Sequence, residues 1–166
     1  HYLTHFYPKT ALTVIEKEKD IVNCAKEYFS INMEGINLKV LDGFDFIKSS
    51  KEKFDIIFAD IFSLDGGIPY SMSDFHGYCQ KLLSSKGTLI CNNILREPDL
   101  INYVLKDQFQ LFEGKVLSLP LKGHLNLITI GTQSHHFVKK IKKITHSNMI
   151  SITHNSKKYG IIAELK

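Results

Sequence analysis

The chain has 166 residues, 43% of them hydrophobic and 23% charged, enough length for one domain with a buried core. No apolar run reaches the roughly 20 residues of a bilayer span, and His1-Tyr2-Leu3-Thr4-His5 has neither the basic nor the apolar region of a signal peptide. The sequence therefore predicts a cytoplasmic protein with no membrane partner. The formal charge of +4 is uneven: residues 1–132 carry fourteen basic against sixteen acidic side chains, and residues 133–166 seven against one. The lysines of the tail surround an apolar stripe, Phe137, Val138, Ile141 and Ile144, and aromatic residues are not interleaved with them as a nucleic-acid stacking platform requires. The tail thus reads as a solvated helix face rather than a nucleic-acid surface. Cys24, Cys79 and Cys91 are scattered inside apolar patterns, which predicts reduced core thiols.

In chain order, Tyr2–Tyr7 reads as the last turns of a helix ended by Pro8, and 11–16 as a buried strand ending in Glu16. Residues 19–29 follow as a helix with Ile21, Cys24, Ala25, Tyr28 and Phe29 at helical spacing. Gly35 supplies a left-handed turn before a fourth element, the strand 38–42, which ends in Asp42. A short helix then spans 44–50. Phe54-Asp55-Ile56-Ile57-Phe58-Ala59-Asp60 is apolar and β-branched, the pattern of a strand buried on both faces of a parallel sheet. Ser71 with Asp74 three residues on predicts a capped helix carrying Phe75, Tyr78, Cys79, Leu82 and Leu83 inward, followed by a strand over 87–93. A helix over 99–106 precedes two β-rich runs, 109–119 and 125–131, joined by Pro120-Leu121-Lys122-Gly123 as an antiparallel hairpin. Residues 149–152 and 160–163 are candidate strands.

Strands alternating with helices predict a doubly wound, Rossmann-like α/β fold with a mostly parallel sheet and an antiparallel C-terminal hairpin. Three successive strands end in Glu16, Asp42 and Asp60. Ligands of such folds bind where the loops leave the carboxyl ends of the strands, so these acids either line a nucleoside site or cap the elements that follow. His135-His136 lacks a third ligand, and no metal site is expected there.

The stretches Val14-Ile15-Glu16-Lys17-Glu18 with Ala25-Lys26-Glu27-Tyr28-Phe29, Leu41-Asp42-Gly43-Phe44-Asp45-Phe46-Ile47, and Phe54 to Asp60, followed by Pro69, Phe75 and Lys86-Gly87, resemble the spermidine-synthase-like (polyamine aminopropyltransferase) branch of the class I S-adenosylmethionine-dependent methyltransferase superfamily. The resemblance spans about residues 1–131. It implies a transferase that moves an aminopropyl or methyl group from decarboxylated S-adenosylmethionine or S-adenosylmethionine to a small amine acceptor, without a metal. It also implies that Glu16, with Glu18 close by, binds the donor's ribose hydroxyls, that Asp42 and Gly43 meet the adenine, and that Asp60 positions or deprotonates the attacking amine. Tyr70 falls near the acceptor pocket.

The sequence departs from the family pattern in three places. The Gly-rich donor loop has no counterpart, Asp60 is followed by Ile61-Phe62-Ser63-Leu64-Asp65 instead of Ser/Thr-x-Asp-Pro, and the N-terminal β-domain is missing. The expected organisation is a Rossmann-like domain over 1–132, without its first strand and Gly-rich loop, and a basic extension over 133–166 packed on it. Apolar edges left by a missing strand predict homo-oligomers. A non-catalytic methyltransferase-like binding or assembly module is the alternative, and a dinucleotide oxidoreductase, which also fits Glu16, needs the same glycine loop.

Overall fold

The computed structural model describes residues 2–29, 33–61, 71–94, 98–121, 125–137, 139, 150–156 and 160–165. Two compact units make up the chain, His1–Ser50 and Lys51–Lys166.

In the first unit, helix α1 (Tyr2–Phe6) precedes strand β1 (Leu12–Glu16), helix α2 (Lys19–Tyr28), strand β2 (Ile36–Val40) and helix α3 (Gly43–Ser49). β1 and β2 pair in parallel from Leu12 opposite Ile36 to Glu16 opposite Val40. Gly35 turns the chain into β2 with φ of 74°, a conformation that costs a residue without Cβ little. The helical stripe expected on α2 is only partly covered. Val22 is buried, whereas Ile21, Tyr28 and Phe29 are more than half exposed and Cys24 is exposed. Within this unit a two-stranded sheet offers α2 one narrow face. Cys24 is therefore not a core thiol.

The second unit comprises strand β3 (Phe54–Ala59), helix α4 (Met72–Leu82), strand β4 (Leu83–Ile94), helix α5 (Pro98–Leu111) and strands β5 (Val116–Pro120), β6 (Asn126–Thr132), β7 (Ile150–Ser156) and β8 (Gly160–Leu165). They form a six-stranded sheet in the order β3-β4-β6-β5-β8-β7. β3 and β4 are parallel, β4, β6 and β5 are successively antiparallel, and β8 joins β5 in parallel. β3 forms one edge of this sheet. Ile57 and Ala59 are covered, but Ile56 and Phe58 are 54% and 62% exposed, so in this unit the strand is covered on one face and not on both.

Ser71 caps α4 by accepting from the Asp74 amide, as its spacing predicts. The helix hands over directly to β4 at Leu83, which pairs with Phe54, so Leu83 is a strand residue and β4 begins four residues before Gly87. Phe109–Leu111 also depart from expectation, because they finish α5. A turn with left-handed Glu113 and Gly114 separates them from β5.

Period-2 alternation along β6 sends Leu127 and Thr129 to one side and Ile128 and Ile130 to the other. On the first side Leu127 packs with Val104 and Leu105 of α5. On the other, Ile128 and Ile130 pack with Leu117, Leu119 and Phe137, so the one described apolar member of the tail stripe belongs to the core. Gly131 sits so close to the fully buried Phe112 that a Cβ would lie 2.3 Å from its ring.

The helix-facing side also holds Cys79 and Cys91. Burial pushes both thiols up, Cys91 to about 12 even though hydrogen bonds from Gln108 and Thr129 lower it. An unfolded thiol ionises above about 8.5, while the folded Cys91 stays protonated. Its contribution to stability is thus fully present below the unfolded value and is lost as pH rises toward about 12. We expect Cys91→Ala to flatten the loss of unfolding free energy between pH 9 and 11 by about 1 kcal/mol per pH unit, read from urea midpoints. An unchanged slope would contradict the burial argument.

Candidate functional site

In the first unit the parallel register brings the ends of β1 and β2 together, and the Leu41 amide donates to the Glu16 carbonyl at 3.1 Å. The Glu16 side chain is half-buried, and its Oε1 accepts from the Glu18 amide at 2.8 Å. This bond turns the chain sharply out of β1. Glu18 is the N-cap residue of α2 but makes no side-chain cap bond.

Asp42 is the N-cap of α3. Its Oδ1 accepts from the Phe44 and Asp45 amides at 2.8 and 3.3 Å, and Lys17 Nζ stands 3.7 Å from Oδ2. The capping role is therefore real, and it fixes the carboxylate's rotamer at the strand end. Gly43 is the first helical residue. Two carboxylates, one cation and a helix N-terminus thus lie at the exit of a parallel strand pair.

Asp60 follows β3 immediately in the second unit and is exposed. Asn92 Nδ2 donates to its Oδ1 at 2.9 Å, and Asn126 Nδ2 donates to Asn92 Oδ1 at 2.9 Å. Asp60 therefore ends a polar chain laid across β4 and β6. Tyr70, and with it Pro69, Gly66 and Gly67, lies outside the described residues. Of the three expected strand-end acids, Glu16 ends β1 and Asp60 follows β3, whereas β2 ends at Val40, two residues before the expected 42, and Asp42 lies beyond it as the cap of α3. Sequence reasoning missed Asn92 and Asn126, although two asparagines ending an apolar run at 92–93 were a visible signal.

No family model matches the chain. Over 146 residues it is 25% identical to the polyamine aminopropyltransferase of Neisseria meningitidis serogroup A, covering 86% of this chain and 55% of the relative. The chain spans about half the length of the curated relatives it matches. Human methyltransferase-like protein 13 in complex with SAH superposes with a TM-score of 0.72 at 16% identity, over 88% of this chain and 74% of that one. The spermidine synthase of Thermotoga maritima superposes with 0.58 at 13% identity, over 76% and 46%. The fold is accordingly the class I methyltransferase fold shared by spermidine synthases. In sequence the chain is similar to the polyamine aminopropyltransferases, as its motifs indicate.

Proposed function

We propose that this chain forms the donor-binding and reacting part of a transferase using decarboxylated S-adenosylmethionine or S-adenosylmethionine, with a small amine as acceptor. The observation that carries the reading is Glu16 at the end of β1 and Asp42 at the cap of α3 just past the end of the adjoining parallel β2, in a chain similar to polyamine aminopropyltransferases. Glu16 would accept both ribose hydroxyls, with Glu18 beside it. Asp42, held by the α3 amides, would accept from the adenine amine, beside Gly43. Tyr70 would border the acceptor. The proposal places this chemistry in the cytoplasm; among the described residues no helix is long and apolar enough to cross a membrane.

In the reaction the amine lone pair attacks the carbon bonded to the sulfonium sulfur, the new C–N bond forms as the C–S bond breaks, and the bond pair returns to sulfur to leave a neutral thioether nucleoside. The nitrogen gives up a proton, and Asp60 is the acceptor we assign. Most of the rate enhancement comes from holding nucleophile and sulfonium carbon in line.

The test incubates the chain with 1,4-diaminobutane and either donor. Release of methylthioadenosine identifies aminopropyl transfer, and release of S-adenosylhomocysteine identifies methyl transfer. Nucleoside binding without either product would overturn catalysis and leave the non-catalytic module.

A further inference from the structure

Asp60 is exposed at a strand end, where a carboxylate ordinarily samples several rotamers. Here it is tethered by a side chain two strands deep in a relay. Asn92 and Asn126 lie diagonally across the β4–β6 ladder, whose register sets Asn92 opposite Ile128 and Ile94 opposite Asn126. Both asparagines are half-buried. An amide presents either its oxygen or its nitrogen to a neighbour, and which one it presents is set by its hydrogen bonds. Asn126 Nδ2 donates to Asn92 Oδ1 and the Asp60 carboxylate can only accept, so both ends set the Asn92 amide with Nδ2 toward Asp60 Oδ1. Among the described residues no donor meets Asp60 Oδ2.

We infer that Asn92, oriented by Asn126, is a positioning residue that holds the Asp60 carboxylate with Oδ1 engaged and Oδ2 presented to the incoming amine. The inference rests on the transferase reading for its function, though not for its geometry. Asn126 makes no hydrogen bond to Asp60 among the described residues, yet it holds the relay's polarity from the far end. Asn126→Asp exchanges the terminal donor for an acceptor, so Asn92 Nδ2 is contested by two carboxylates and its bond to Asp60 weakens.

The experiment has two arms. In the first, the ¹⁵N–¹H signals of the Asn92 side-chain amide are followed in the full chain. We expect them to move in both Asp60→Ala and Asn126→Asp, and signals indifferent to both would overturn the relay whatever the protein catalyses. In the second, kcat for thioether-nucleoside release is expected to fall about tenfold to a hundredfold in Asn92→Ala and in Asn126→Asp, the range of one hydrogen bond to a charged group. The donor KM should stay within about twofold, since neither residue is assigned to the nucleoside. In an Asp60→Asn background Asn92→Ala should have no further effect on kcat, a non-additivity that general loss of structure does not produce. Additive losses, or an unchanged kcat in the single variants, would overturn the positioning role while leaving the transferase reading intact. Absence of turnover in the unsubstituted chain would sink the transferase reading and the role with it, leaving the relay to the first arm.

Discussion

Asp107→Ala is expected to destabilise the protein by about 2–4 kcal/mol, because it strands a buried imidazole. His76 of α4 is wholly buried, and its Nδ1 lies 2.5 Å from Asp107 Oδ2 on α5. Its Nε2 lies 3.1 Å from Gln108 Nε2. An amide nitrogen can only donate, so Nε2 accepts and Nδ1 carries the hydrogen given to Asp107. Without the carboxylate that buried N–H loses its acceptor. Replacing both partners should cost less than the two single losses combined, since His76→Leu with Asp107→Ala removes the imidazole N–H together with its acceptor and leaves only the Gln108 amide without its ring partner. Urea unfolding followed by circular dichroism measures both. A change below about 0.5 kcal/mol in Asp107→Ala would show that the pair contributes nothing beyond an ordinary surface contact.

Asp60→Asn should lower kcat by about 10²–10⁴-fold, the usual contribution of a positioned proton acceptor, and leave donor affinity unchanged. The substitution is close to isosteric. An asparagine oxygen still accepts from Asn92 at the place where Asp60 Oδ1 does now, so the strand end keeps its hydrogen bond. What disappears is the charge and the capacity to take a proton from the amine. Product release in single-turnover reactions separates the chemical step from binding. A rate within about threefold of the unsubstituted chain would remove Asp60 from the reaction, because positioning of the two substrates would then account for all the catalysis.

Local chemistry made much of this structure readable. Ser71 before Asp74, and Asp42 before Gly43-Phe44-Asp45, announce helix starts through bonds to amides two or three residues away, and both caps are seen. The hairpin of β5 and β6 was legible from two β-rich runs about a short connection. Coverage was less legible than element type. The apolar run at 54–59 reveals a strand but not how many of its faces another layer covers, and Ile56 and Phe58 prove exposed in their unit. The residues Phe109–Leu111 are as apolar as the strand that follows, and the α5 helix claims them. The two side-chain networks were out of reach of sequence. Asp60 meets Asn92 across 32 residues, and His76 meets Asp107 across 31, separations that only strand register and helix packing bridge.

Isothermal titration of the chain with S-adenosylmethionine, decarboxylated S-adenosylmethionine and methylthioadenosine, alongside Glu16→Ala, tests the central claim most directly. Glu16 is placed by the β1–β2 register and held by the Glu18 amide, so its removal should leave the fold and take away the two carboxylate oxygens we propose as acceptors for the ribose hydroxyls. The account predicts binding of at least one of the three nucleosides, and a loss of at least about a hundredfold in Glu16→Ala, the scale of two hydrogen bonds to a charged group. Binding that is indifferent to Glu16→Ala, or no binding of any of the three by the unsubstituted chain, would contradict it.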